Sequence, residues 1–174
     1  MGTYLCTGIC TEVVVYKSSL KSKNIEYEAL IKSLNQKVNL NLYDKKDEED
    51  KITWNIKHDL IEKDLLSFLK SQFEIYDSKN HNKELYKSLE EAKTGEKMLN
   101  ILSEEFNEDN FSEYLYIGEE EKEIKAHFNL IILFLDGKTF MESYDNILGY
   151  FEHMIKLQQD KYPLAETMKI FLSE

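Results

Sequence analysis

The side chains of this 174-residue chain that could do chemistry are two cysteines, four histidines and 33 carboxylates. The cysteines, Cys6 and Cys10, stand four apart around Gly8 in the stretch CTGIC. If that stretch is extended, they share a face ~13 Å apart, at ~3.3 Å per residue. A disulfide needs Cα atoms within roughly 7 Å, so no bridge forms within the strand. A zinc site would need a second half-site, and none is present. His58, His81, His127 and His153 fall singly on separate predicted elements, with no Cys-x-x-Cys or His-x-x-x-His pair. The thiols therefore read as small buried apolar groups, and Gly8 as a bulge or a close backbone approach.

Nucleophilic and phosphate chemistry find no support either. No Gly-x-Ser-x-Gly elbow and no Gly-x-Gly-x-x-Gly or Gly-x-x-x-x-Gly-Lys-Ser/Thr loop occurs in the chain. Asp47-Glu48-Glu49-Asp50 lacks the alternate ligands, central glycine and terminal glutamate of a calcium loop. Any enzyme here would have to build its site from scattered residues. The reading is a protein with no catalytic group, no metal and no cofactor.

Charge is the more telling property. The chain holds 22 basic and 33 acidic residues, a net −11, and every basic residue is lysine. Arginine supplies the planar fork that grips phosphates and base edges. Its absence, within a negative field, argues against direct binding of nucleic acid. An AT-rich genome explains the missing arginine, and the consequence for recognition is the same.

The acids gather in three runs. Asp44, Asp47, Glu48, Glu49 and Asp50 form one, and Glu119, Glu120, Glu121 and Glu123 a second, just after Gly118. Glu104, Glu105, Glu108 and Asp109 form the third. Such runs are ordinarily solvated loops. Held together on one surface they would steer a basic protein partner. Tyr114 and Tyr116 share a strand face, either as an exposed stripe or, the preferred reading, as half-buried sheet residues.

The elements that must carry these groups follow from periodicity. One domain is expected at this length. Residues 3–16 read as a strand, and Asn24 as the N-cap of a helix to about Gln36. VNLNLY and ITWNI alternate cleanly and read as a hairpin around a long acidic loop. Asp59 and Glu62 resemble a capping box opening a helix to about Tyr76. A helix near Glu84–Lys93, a break at Thr94-Gly95 and a short helix through Phe106 come next. Asn107–Asn110 reads as a loop. Strands follow at about 112–117, 123–135 and 138–143, the last two joined at Asp136-Gly137 by a tight turn. A helix over about Tyr144–Lys161 and a final strand Thr167–Leu172 complete the chain. Strand 123–135 is apolar on both faces, which places it inside the sheet.

The fold class is α+β: a mostly antiparallel or mixed sheet of about six to seven strands, with helices mainly on one face. The longest apolar run, Leu130–Leu135, is far short of the ~20 residues of a membrane span. No secretory signal is visible, so a cytoplasmic protein without a membrane partner is expected. Size, acidity and plan resemble those of small bacterial and phage inhibitors of basic effectors, immunity and anti-defence proteins among them. That likeness is one of composition and carries over no residue. It implies a non-catalytic, stoichiometric inhibitor covering the basic surface of an effector, nuclease or toxin. Its partner-binding residues would be Asp47, Glu48, Glu49 and Asp50 with Glu119, Glu120, Glu121 and Glu123. Two other readings are a small-molecule-binding protein or enzyme with a pocket between sheet and helices, and a subunit of a larger assembly.

Overall fold

Ile9, Cys10, Val13, Val14 and Val15 are apolar at both parities, so a strand made of them has to be covered on both sides. A computed structural model of the chain, described over residues 4–76, 83–136, 156 and 161–173, puts them at the centre of the molecule. They lie on β1 (Tyr4–Tyr16). Along one edge β1 pairs with β5 (Lys122–Asp136). Its other edge is shared end to end by β3 (Lys51–Ile56) and β6 (Met168–Ser173). β2 (Tyr43–Asp47) closes one side of the sheet and β4 (Asn107–Ile117) the other, giving the order β2–β3–β1–β5–β4. Every pairing is antiparallel, so the described residues form an α+β fold on a six-stranded sheet, with β5 inside it as its two apolar faces require.

Two register shifts interrupt β1, between Thr7 and Gly8 and between Cys10 and Glu12. At the first, a Cβ on Gly8 would stand 2.6 Å from the Ile131 carbonyl oxygen, so the close approach expected there is real. The second leaves Thr11 unpaired and turns Glu12 to the face opposite Cys10 and Val13, as a bulge does.

Among the described residues five α-helices flank the sheet. α1 (Lys17–Ser22) and α2 (Tyr27–Asn35) lie over the face that carries Leu115, Ile117 and Trp54, and bury Leu20, Leu30 and Leu34. The longer helices cover the other face: α3 (His58–Tyr76), α4 (Lys83–Ala92) and α5 (Gly95–Glu105). α3 turns Ile61, Leu65, Phe68 and Leu69 inward, each fully buried. Burial of such side chains contributes on the order of 1.5–3 kcal/mol apiece. Thr94 caps α5, its hydroxyl accepting from Lys97 N–H. A short 3-10 helix at Pro163–Thr167 leads into β6.

Several local expectations are corrected. α2 begins after Glu26, while Asn24 takes a positive φ of 51° beyond α1, a helix the periodicity did not reveal. VNLNLY is no strand: Leu40–Leu42 form a 3-10 turn in which Asn39 accepts from Asn41 N–H and Asn35 from Leu40 N–H. Such side-chain bonds offer the backbone an alternative to a ladder. The strand is the polar YDKKD, tolerated because β2 is an edge with one buried residue, Tyr43. The long acidic loop shrinks accordingly to residues 48–50. Asp59 and Glu62 make no capping box: Asp59 accepts from Leu60 N–H, and Glu62 reaches across to Gly95 N–H at 2.8 Å. Asn107–Asn110 is not a loop but the start of β4, paired to Ile132–Asn129. The expected strand 138–143, its turn at Asp136-Gly137 and most of the helix to Lys161 lie outside the described residues.

Candidate functional site

The first acidic run sits on a hairpin that supplies its own counter-charges. Asp47 pairs with Lys17 and, at 3.6 Å, with Lys45. Glu48 pairs with Lys46 at 3.1 Å and Lys51 at 3.8 Å. The hydrogen bond from Lys17 holds the Asp47 carboxyl below its ordinary value, and that from Lys46 does the same for Glu48. Lys17 also donates to the Glu48 carbonyl, tying the start of α1 to the turn. Asp44, Glu49 and Asp50 are exposed.

The second run is different. Gly118, at φ 76°, and Glu121, at φ 48°, make the turn between β4 and β5. Glu121 N–H bonds to the Gly118 carbonyl at 3.1 Å. Glu119, Glu120 and Glu121 are all exposed there, and among the described residues Lys122 pairs with Glu120 at 3.3 Å. Lys23 reaches the backbone carbonyl of Glu123 rather than a carboxylate. Glu123 faces Tyr116 across the ladder and pushes its phenol above the ordinary value by charge repulsion.

Tyr114 and Tyr116 are 49% and 60% exposed, and Tyr16 44%. The half-buried reading of the two β4 tyrosines is therefore corrected: they form the open stripe. They lie on the face opposite Leu115 and Ile117, the face that α5 covers farther along β4 at Asn110, and remain largely open to solvent. Lys125 stands over the Tyr114 ring at 5.4 Å. Tyr16 meets the His127 ring edge-on at 5.5 Å, and His127 Nδ1 hydrogen-bonds Ser112 at 2.9 Å.

The ladder brings the two acidic turns to one end of the sheet. Tyr16 pairs with Lys51, and Val14 with His127, so residues 48–50 and 118–121 both project beyond the C-terminal end of β1. α1 leaves from between them. The third run stays apart: Glu104 and Glu105 end α5, and Glu108 and Asp109 lie within β4.

The cysteine reading is met at Cys10, a buried free thiol that burial pushes up to about 11. The Tyr43 hydroxyl donates to the Cys10 carbonyl at 2.8 Å. Among the described residues, no three His, Cys, Asp or Glu side chains gather as a metal site, and no helix is long and apolar enough to cross a membrane.

One feature had no signal in the sequence. Glu12 lines a cleft of about 280 Å³ between the sheet and α5, together with Asn55, Asn110, Asn129 and Glu108. These residues are scattered over four strands, and only the bulge at Thr11 turns Glu12 towards the others.

Comparison with family models, with curated proteins and with solved structures finds no match for this chain.

Proposed function

We propose that this chain is a non-catalytic protein-binding module, a stoichiometric inhibitor of the immunity or anti-defence kind. It covers a basic surface on a cytoplasmic effector, such as one that binds nucleic acid. The observation that carries this reading is the junction of the Glu119–Glu121 turn with the exposed Tyr114–Tyr116 stripe on one strand pair. Lysines offset much of the charge of the first run, so the reading rests chiefly on the second.

Each part has a physical role. The turn's clustered carboxylates, backed by a net charge of −11, draw in a basic surface and raise its encounter rate by ~10-fold or more at low salt. The tyrosines then supply rigid contact area at low cost in side-chain entropy, which is why aromatics dominate interface energetics. Asp47–Asp50 add a weaker field from the neighbouring turn.

The test is a tagged pull-down from lysate of the source cells, at low salt and at about 0.5 M, where the Debye length falls to a few ångströms. Wild type should retain one basic protein in stoichiometric amount at low salt and less at high salt. The E119K/E120K/E121K variant should lose it. Equal capture by wild type and variant contradicts the reading.

A further inference from the structure

Across β3, β1, β5 and β4 the residues Asn55, Glu12, Asn129 and Asn110 stand directly opposite one another, a single polar row over four strands. It lies beside α5 at the margin of the covered face, between a row of Ile9, Ile131 and Glu108 and a mostly polar row of Thr53, Val14, His127 and Ser112. Leu99 and Ser103 of α5 form the roof of the cleft above it, and His58 and Glu108 complete the walls. Packing alone would not require the half-buried Glu12 and Asn129 to meet beneath α5. Nor would it need the Thr11 bulge that aims Glu12 there.

We infer that this cleft is a binding site for a small organic cation with an alkyl stem, an alkyl diamine or a guanidino-alkylamine. Among the described residues the lining holds two carboxylates, Glu12 and Glu108, and no lysine, so it disfavours anions and favours positive charge. Among the described residues no Phe, Tyr or Trp lines it, and the one ring in its wall is the His58 imidazole. Leu99 and Ile131 offer an apolar wall that suits methylene groups.

The polar groups are set to receive N–H donors. Glu12 already accepts from the Asn129 amide, and Glu108 from the Ser103 hydroxyl at 2.7 Å, so both carboxylates are held in place. The side-chain amides of Asn55 and Asn110 bond to nothing among the described residues, which leaves their carbonyls open to a ligand. Glu108 pairs with Ile131, one rung beyond the Asn129 row and two strands from Glu12. Strand spacings of ~4.8 Å and a rung of ~6.8 Å put the two Cα atoms about 12 Å apart. The reach of two glutamates reduces that to a gap for a short dication. The cleft lies at the small end of ligand pockets, usually roughly 300–1,000 Å³, as a compact ligand requires.

The experiment is calorimetric titration of the full chain with diamines of increasing length, with agmatine, and with glucose and succinate as neutral and anionic controls. Saturable one-to-one binding with an optimum at one diamine length is expected, because a built site measures length whereas a diffuse acidic surface measures only charge. E12Q, which keeps an acceptor for Asn129, should weaken binding at least ~10-fold, as loss of a charge-assisted bond does. E108Q should weaken it similarly, and E119Q/E120Q/E121Q should leave it unchanged. L99W, which fills the cleft and spares both carboxylates, should abolish it, with circular dichroism confirming that each variant folds. No saturable binding up to about 10 mM, affinity indifferent to diamine length, or equal loss in the turn variant overturns the inference. None of these results bears on the protein-binding end, so the two proposals fail separately.

Discussion

In the β2–β3 hairpin five carboxylates between Asp44 and Asp50 share their stretch with Lys45, Lys46 and Lys51, and Lys17 comes in from α1. Five charges less four leave −1. In the β4–β5 hairpin Glu119, Glu120, Glu121 and Glu123 share theirs with Lys122, and Lys23 comes in to the Glu123 carbonyl, so four less two leave −2. The two runs look alike as strings of letters and differ as fields. Cross-strand and helix-to-strand pairing decides it, because a lysine two residues away along an edge, or opposite on the ladder, lies within ion-pair reach. The tyrosines are alike in having a lysine over one ring, Lys45 over Tyr27 at 4.3 Å and Lys125 over Tyr114 at 5.4 Å, and differ in that Tyr116 adjoins the less balanced turn.

The largest effect should come from reversing the less balanced turn. E119K/E120K/E121K changes local charge by six and should lower the association rate with a basic partner by at least ~10-fold at low salt, measured by stopped flow. Reversing Glu48, Glu49 and Asp50 changes charge by as much but starts from a compensated field, so it should cost clearly less. Equal losses from the two reversals would break the comparison.

Next in size is the stripe. Tyr116→Ala should speed dissociation by about 10-fold, since a central aromatic contact of ~1–2 kcal/mol is removed. The rate of association should hardly move. A variant that changes only association would make the tyrosine a bystander.

A smaller effect should run the other way. Lys17→Gln removes a counter-charge from Asp47 and should raise the association rate modestly, turning the balanced hairpin into a second attractive end. The loss of stability should be minor, as for other exposed pairs.

The smallest effect concerns acid. Asp47 and Glu48 titrate below their ordinary values of 3.8 and 4.5, so the stability they contribute is present above those values and fades as the pH drops through the lowered ones. Following the two carboxyls by NMR should find both midpoints below the ordinary ones in wild type. The Asp47 midpoint should move up in Lys17→Gln, and an unmoved midpoint would remove Lys17 from the account.

Much of this architecture was legible in the sequence. Val13–Val15, the alternation of Ile52, Trp54 and Ile56, and the two apolar faces of Leu130–Leu133 placed the central strands, because burial on both sides leaves no polar parity. Side-chain hydrogen bonds and edge positions hid the rest. Asn35 and Asn39 divert the alternating VNLNLY into a turn, while the polar YDKKD becomes a strand because an edge needs only one buried residue. Asn107–Asn110 looks like a loop from its side chains and is a strand because β5 offers it a ladder. The site was legible as charge and illegible as field, since Lys17 lies 30 residues from the Asp47 it neutralises. Glu12 was invisible for a related reason: a one-residue bulge set its face.

The two hairpins should differ in what they attract. The most direct measurement is the association rate of the captured basic partner against salt concentration, for wild type and for each of the two triple reversals. A steep slope is expected for wild type, a nearly flat one for E119K/E120K/E121K, and an intermediate one for E48K/E49K/D50K. A slope unchanged by the first reversal, or flattened equally by both, would contradict that difference.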